Sequence, residues 1–311
     1  MNTPPRPTLI IITGATGSGK SSLAVELARR LDCHIISADS RQIYRDIPIG
    51  TAAPTPQQLA AAPHHFVGML SLEQSYSAAR FESDVLDLLP RIWSKDGYAI
   101  MCGGSMMYID AVVNGIDDLP DISPEIRQKA YYIYNKGGLE AARATLRELD
   151  PDYYEIVDKN NHKRIVHAIE ITLQAGVPYS TLRTGSRRER PFNVIKFALD
   201  YERQVLFDRI NTRVDAMIAA GMEREAVKVY PLRHLNSLKT VGYKELFAVL
   251  DGKMDRETAI ARIAKNTRVY AKKQLTWLKR DDSVIWLKPE NSLQTSLNII
   301  YDERRKTTCS I

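Results

Sequence analysis

The chain has 311 residues, 44% of them hydrophobic and 26% charged, with a formal net charge of +6. That length accommodates one large domain plus an insertion, and that apolar content excludes an intrinsically disordered chain. Its three cysteines, Cys33, Cys102 and Cys309, are far apart and form no CxxC pair, which argues for a reducing compartment rather than a disulfide scaffold, so the protein is expected in the cytoplasm.

The N-terminal MNTPPRPTLIIITG contains an apolar run far shorter than the roughly 18 residues a membrane span needs. It lacks a signal-peptide arrangement as well, and no membrane association is expected. TLIII at residues 8–12 is a continuous β-branched run, the pattern of a strand buried on both faces. Leu23, Leu27 and Leu31 then recur at helical spacing with Ala24 and Ala28 beside them, giving one apolar helix face. HIIS at 34–37 reads as a second strand, ending in ADSRQIY, and YAIMCGG at 98–104 as a third, running into a glycine turn and a helix from Met106. Strands alternating with helices imply a parallel, twisted sheet covered by helices, and ligands of such sheets bind at the carboxyl ends of the strands.

Around Asp117 the pattern changes. Pro120 and Pro124 break the chain, and a helical pattern then runs to Gly176, which suits a helix C-terminus. RTGSRRER at 183–190 reads as a basic, mobile link, and FNVIKFALDY at 192–201 returns to strand character. The expected organisation is an α/β core from residues 1–117 and 192–311, with a helical insertion domain at 118–191. Beyond it, Leu206, Ile210, Val214 and Met217 form an apolar stripe stopped at Gly221. A long helix over 256–278 is expected to place Ile260, Ile263, Thr267, Tyr270 and Trp277 on one side and Arg262, Lys265, Arg268 and Lys272 on another. Residues 201–280 hold 17 Lys and Arg against 9 Asp and Glu, a local surplus that points to a polyanionic partner.

Gly14, Ala15, Thr16, Gly17, Ser18, Gly19, Lys20 and Ser21 match G-x-x-x-x-G-K-[ST] between a strand and a helix. The glycines let successive N–H groups turn toward phosphate oxygens, Lys20 adds charge, Ser21 can hold Mg²⁺, and the helix offers its positive end. The motif does not name the ligand. A nucleotide hydrolase of this kind carries an Asp at the end of a later buried strand, whereas YAIMCGGS ends in glycines and Ser105. Asp39, after the second strand, is either a turn residue or the catalytic carboxylate. Ser105 is a helix N-cap, a phosphate contact, or both. Arg209 and Arg213 stand one helical turn apart and gain interest only if their helix faces the strand ends. His64 and His65 lack metal-ligand spacing and read as loop or core residues.

Taken in order, the blocks GATGSGKSSLA, ISADSRQIYRDIPIGTAAPT, PHHFVGMLSLEQSYSAARFESD, GGSMMYIDAVVNG, NNHKRIVHAIEI, RINTRVDAMIAAGMEREAV, KTVGYKEL and NTRVYAKKQLTWLKR resemble the bacterial tRNA dimethylallyltransferases over nearly the whole chain. The resemblance implies a P-loop NTPase-like core that moves a dimethylallyl group from dimethylallyl diphosphate to the exocyclic amine of the adenine 3′ to the anticodon. The phosphate loop then grips the diphosphate leaving group with Mg²⁺ as cofactor, Lys20 and Arg213 contact the diphosphate, Ser105 contacts its bridge, and Asp39 takes the amine's proton. By the same resemblance Asp39, Ser40, Arg41, Gln42, Ser105, Arg127, Lys163, Arg164, Ile165, Val166 and His167 touch the tRNA anticodon stem-loop, and the enzyme works as a monomer. Ala53 stands where lysine is usual and Val166-His167 replaces a pattern ending in arginine, departures that bear on tRNA contact rather than on transfer. Two rival classes share the loop: an isopentenyltransferase acting on free adenylate, which needs neither insertion nor basic helix, and a P-loop kinase.

Overall fold

The computed structural model describes residues 6–185 and 187–309. The chain divides into two compact units, one joining the residues up to Val113 to those from Glu189 onward, the other being Asn114–Arg188.

In chain order the elements are β1 (Thr8–Thr13), α1 (Lys20–Leu31), β2 (Ile35–Ser37), α2 (Pro56–Ala61), β3 (His64–His65), α3 (Ala78–Ile92), β4 (Tyr98–Cys102) and α4 (Met106–Asn114). Four helices follow, α5 (Pro124–Leu149), α6 (Pro151–Ile156), α7 (His162–Ala175) and α8 (Tyr179–Leu182). The chain then forms β5 (Asn193–Leu199), α9 (Arg203–Ala219), α10 (Met222–Val229), α11 (Tyr243–Leu250), α12 (Arg256–Leu278), β6 (Val284–Leu287) and α13 (Ser292–Cys309).

Among the described residues six strands form one sheet, all parallel, in the order β3-β2-β4-β1-β5-β6. Successive side chains leave a strand on opposite faces, so Ile10 and Ile12 pack with Leu23, Leu27 and Leu31 of α1 while Leu9 and Ile11 pack with Phe81 and Val85 of α3. Each such isoleucine or leucine contributes about 1.5–3 kcal/mol by leaving water. Both faces are thereby covered, as the unbroken apolar run of β1 requires. Register does the rest: Cys102 lies opposite both Ile12 and Ser37, so the loops leaving β1, β4 and β2 emerge side by side at one edge.

Beyond that edge sits a helical layer. Val214, Met222, Tyr243, Leu246 and Ile263 cluster with Ile43, Ile47, Leu70 and Leu72 from the long β2–α3 connection. α12 packs against α9 and α11, and the side that sequence gives to Ile260, Ile263, Thr267, Tyr270 and Trp277 is covered only in part: Ile263 is buried and Ile260 packs against the same cluster. Its buried residues are Ala259, Ile263, Ala271, Gln274 and Leu278, whereas Tyr270 and Trp277 are 46% and 44% exposed. Two alanines on the packed face allow close approach, which a pattern search weighted to large apolar residues overlooks. Nor is the basic stripe uniformly solvated: Arg268 donates to Asn211 Oδ1 and lies over the Phe207 ring. β3 and β6 were not anticipated, because runs of two and four residues carry little periodicity.

The smaller unit is helical. Ala130, Ala142, Leu146, Tyr153, Tyr154, Ile165, Val166 and Ile169 form its core. Asp150, fully buried, accepts from Tyr153 N, Ser180 N and Ser180 Oγ and so ties α6 to α8. The arginine-rich 183–190 segment is not a uniformly mobile link. Arg190, its side chain 9% exposed, pairs with Glu82 and donates to Ala111 O, because a guanidinium largely removed from water needs fixed acceptors. Among the described residues no helix is long and apolar enough to cross a membrane.

Candidate active site

The loop between β1 and α1 wraps at the sheet edge. Gly17 and Gly19 take φ of 81° and 90°, a region that disfavours side chains, and a Cβ on Gly17 would come within 2.9 Å of Ile210 Cγ1. The loop ends at the N-terminus of α1, where Ser22 N turns back to Gly19 O at 3.1 Å and the amides ahead of it point out of the helix, as helix starts leave them for an anion. Lys20 Nζ lies 3.5 Å from Ala15 O, long for such a bond and easily exchanged for a phosphate oxygen. Ser18 Oγ is buried without a hydrogen-bond partner.

Asp39 follows β2 in a turn that its own carboxylate closes: Oδ1 accepts from Arg41 N at 2.9 Å and Gln42 N at 3.3 Å, which leaves Oδ2 for another donor. Ser105, at the head of α4, accepts from Ser40 N at 2.9 Å through its hydroxyl. Its side chain therefore braces the Asp39 turn rather than capping α4; its own carbonyl receives the Tyr108 and Ile109 amides. Gln42 is pinned at both ends of its amide, accepting from Ser37 Oγ and donating to Thr51 O and Ala52 O.

Two adjoining cavities lie between these loops and the helical layer. The smaller, about 80 Å³, is lined by Lys20, Ser21, Asp39, Gly103, Gly104 and Arg213 among others. The larger, about 360 Å³, is lined by polar Asp39, Arg41, Ser105, Arg213, Lys239 and Lys244 and by apolar Ile210, Val214, Met217, Met222, Val241 and Ile263. Thr16, Asp39, Thr51, Arg213 and Tyr270 line both, so the two form one cleft. Asp39 is the sole carboxylate among the residues lining it, against five Lys and Arg. Such a cleft suits a polyanion.

Burial pulls Lys20 below its ordinary pKa, with Cys102 opposing and Arg213 adding to the fall. Burial also lowers Arg213, and Asp39 offsets it. Two cations stripped of water beside one another would gain from an anionic ligand between them. The Cys102 thiol is pushed up to about 11, chiefly by burial, and stays protonated. Burial and then Asp39 raise the Tyr270 phenol, which is an O–H donor at neutral pH.

α9 does face the strand ends. Besides Arg213 in the cleft, it carries Arg209, whose Nε donates to Gly17 O at 2.9 Å while its guanidinium lies over the Tyr201 ring. Glu225 on α10 carries no signal in the sequence that marks it as part of the site. It accepts from Ile49 N at 2.9 Å, from Gly50 N at 2.8 Å and from Tyr243 Oη, and so holds the I-G-T turn whose Gly50 and Thr51 line the larger cavity. A Cβ on Gly50 would lie 2.4 Å from Tyr243 Oη, so only glycine fits that approach. Gln274 of α12, within the block NTRVYAKKQLTWLKR, is another residue to which sequence alone assigns no role. His64 and His65 hold no metal cluster, and none occurs among the described residues. His65 Nε2 instead meets His34 Nδ1 at 2.9 Å.

The structure thus brings Thr16, Lys20, Ser21, Asp39, Ser40, Arg41, Gln42, Ser105 and Arg213 to one cleft. Arg127, Lys163, Arg164, Ile165, Val166 and His167 belong to the smaller unit. Lys163 and Arg164 are exposed there, and Arg127 and His167 both lie beside Glu170. For Ile165 and Val166 the expectation of RNA contact is corrected. They are 0% and 2% exposed within the core of that unit, because α7 must bury one face to hold its neighbours.

A profile of the IPP transferase family matches residues 42–281. A tRNA dimethylallyltransferase 2 of Parabacteroides distasonis is 51% identical over 91% of this chain and 95% of its own length. One of the same name from Porphyromonas gingivalis is 50% identical over 94% and 98%. Among solved structures, the tRNA isopentenylpyrophosphate transferase of Bacillus halodurans superposes with a TM-score of 0.71 at 32% identity, covering 97% of this chain and 98% of that one. A eukaryotic dimethylallyltransferase acting on tRNA gives a TM-score of 0.81 at 25% identity, covering 96% of this chain and 80% of that one.

Proposed function

The chain belongs to the IPP transferase family, and on that premise we propose that it is a tRNA dimethylallyltransferase whose cleft separates a leaving-group site from an acceptor site. The observation that carries the assignment is the convergence of Lys20, Asp39, Ser105 and Arg213, from four separate segments, on one cleft. The phosphate loop, Lys20 and Arg213 receive the diphosphate of dimethylallyl diphosphate. The apolar residues lining the larger cavity suit the five-carbon group, and Asp39 faces the acceptor amine.

In the transfer, the adenine amine nitrogen forms a bond to the allylic C1 while the C1–O bond breaks, its electron pair leaving on the diphosphate. Negative charge grows where the loop amides, Lys20 and Arg213 are already placed, which lowers the barrier without reorganisation. The amine loses a proton to Asp39, help worth about 10²–10⁴ in rate. The hydroxyl of Ser105, accepting from Ser40 N, keeps its own proton for a diphosphate oxygen.

Mg²⁺ prefers oxygen ligands, keeps several waters and shares phosphate oxygens. The Ser21 hydroxyl, in the same small cavity as Lys20 and Asp39, suits that donor set and would hold it. When bound, the ion would neutralise charge on the departing diphosphate.

The acceptor adenine leaves its stack to reach this depth. Arg127, Lys163, Arg164 and His167 of the smaller unit, with Arg41, Lys239 and Lys244 of the cleft, take RNA phosphates in this scheme. A single chain carries every group named, so a monomer suffices. The test offers labelled dimethylallyl diphosphate to unmodified tRNA and to AMP in parallel reactions. Label in tRNA is the expected result; label confined to AMP would move the enzyme to the free-adenylate class, and label in neither would end the assignment.

A further inference from the structure

The structure assigns Gln274 as a positioning residue that sets the distance between the leaving-group loop and the Asp39 turn; the assignment rests on the transferase reading above. Gln274 is on α12, 5% exposed, and both ends of its amide are used. Oε1 accepts from Thr16 N of the phosphate loop at 2.9 Å, and Nε2 donates to Gly104 O at 3.0 Å. The partners fix which end is which, since a backbone N–H can meet only an acceptor and a carbonyl only a donor.

These two bonds sit in a longer path. Thr16 belongs to the loop that wraps the diphosphate. Gly104 is bonded to Ser105, whose hydroxyl accepts from Ser40 N, and Ser40 follows Asp39, whose carboxylate closes its turn on Arg41 N and Gln42 N. Gln274 is the one side chain in that path from outside the two loops and the α4 turn, reaching in from more than 160 residues along the chain. It leaves no slack. A Cβ on Gly104 would come within 2.3 Å of Nε2, so the amide lies tight against the turn.

A transfer that needs C1 of the prenyl group aligned between a held diphosphate and a held amine depends on that spacing, and a displacement of about 1 Å can cost about 10² in rate. The same helix carries exposed Arg262 and Lys265. Gln274 therefore also ties a basic helix directly to the phosphate loop.

The test uses Gln274→Glu, which keeps the shape and the acceptor toward Thr16 but sets a carboxylate oxygen against Gly104 O. At about pH 8 we expect kcat on tRNA to fall by about 10²-fold, with KM for dimethylallyl diphosphate within about threefold of wild type. Burial raises the pKa of the introduced carboxyl, so its protonated form can donate to Gly104 O, and the ratio of variant to wild-type kcat should climb as the pH is lowered toward about 6. A purely structural role would lower the melting temperature without this acid rescue. Gly104→Ala, which leaves Gln274 in place and pushes on its amide, should lower kcat in the wild-type background but add nothing to Gln274→Ala. That cycle decides the matter even if Gln274→Glu does not fold. Wild-type kcat in Gln274→Glu or Gly104→Ala, a loss confined to KM, or an additive cycle would overturn the assignment. Failure of the wild-type enzyme itself to label tRNA would instead strike the functional reading.

Discussion

Replacing Glu225 with glutamine tests whether the I-G-T turn is held by charge or only by packing. The carboxylate faces three donors, Ile49 N, Gly50 N and Tyr243 Oη, and burial with the Glu225 bond pushes the Tyr243 phenol far up, so it remains a donor. A glutamine can turn its oxygen toward Gly50 and Tyr243 or toward Ile49, but not both, and its NH₂ then opposes an N–H or O–H. The change loses at least one charge-assisted bond and leaves a buried donor unpaired, together about 2–4 kcal/mol. Tyr243→Phe removes one donor from a carboxylate that keeps two, and should cost about 1–2 kcal/mol. Urea unfolding of the two variants measures both. Because Gly50 and Thr51 line the cleft, Glu225→Gln should also lower kcat/KM on tRNA, through displacement of the turn. Stability of Glu225→Gln within about 0.5 kcal/mol of wild type, or a larger loss in Tyr243→Phe than in Glu225→Gln, would refute the reasoning.

Asp39→Asn should retain dimethylallyl diphosphate binding and lose about 10²–10⁴ in transfer rate; single-turnover kinetics at saturating tRNA measure it, and wild-type speed would dismiss Asp39 as the base. The cysteine thiols of Cys33 and Cys102 are pushed up to about 12 and about 11, mainly by burial, so peptide mass mapping should find both unmodified by iodoacetamide in the native protein near pH 8 and modified in urea. Rapid native labelling of either would contradict their burial. His65 is held below its ordinary 6.5 by burial and by His34, His64 and Arg91. Below about pH 6.5 the unfolded chain therefore binds a proton that the folded chain refuses, and stability should fall as the pH drops. His65→Gln should shallow that decline in urea midpoints, and an unchanged slope would show that the pair with His34 plays no part.

Much of the site was legible because its elements are local. Eight consecutive residues, Gly14 to Ser21, contain the glycines, the lysine and the hydroxyl that a phosphate loop needs, and strand and helix patterns on either side supply the context. Asp39 was visible as a carboxylate ending a strand, and Ser105 as a hydroxyl ahead of a helix, though neither choice of role could be made from spacing. The resemblance chose the role for Asp39. For Ser105 the fold added a bond to Ser40 N that the sequence does not announce.

Other features became visible only in three dimensions. The parallel register that sets Ile12, Cys102 and Ser37 in one row decides that three loops far apart in the chain share an edge. Arg209 and Arg213 had to await the finding that α9 faces that edge. Glu225 and Gln274 look like ordinary polar residues of amphipathic helices, and their partners lie 175 and 258 residues away. The full buried face of α12 is of the same kind: Ala271 buries against Leu206 and Ile210 of α9, and Gln274 against Thr16 and Gly104. Sequence alone determined the chemistry of the loop and the alternation of elements, since both follow from backbone conformation and side-chain periodicity over a few residues. Tertiary structure decided which side chains hold those loops in register, since a hydrogen bond between distant segments exists only once packing has brought donor and acceptor together and removed the water that would otherwise serve them.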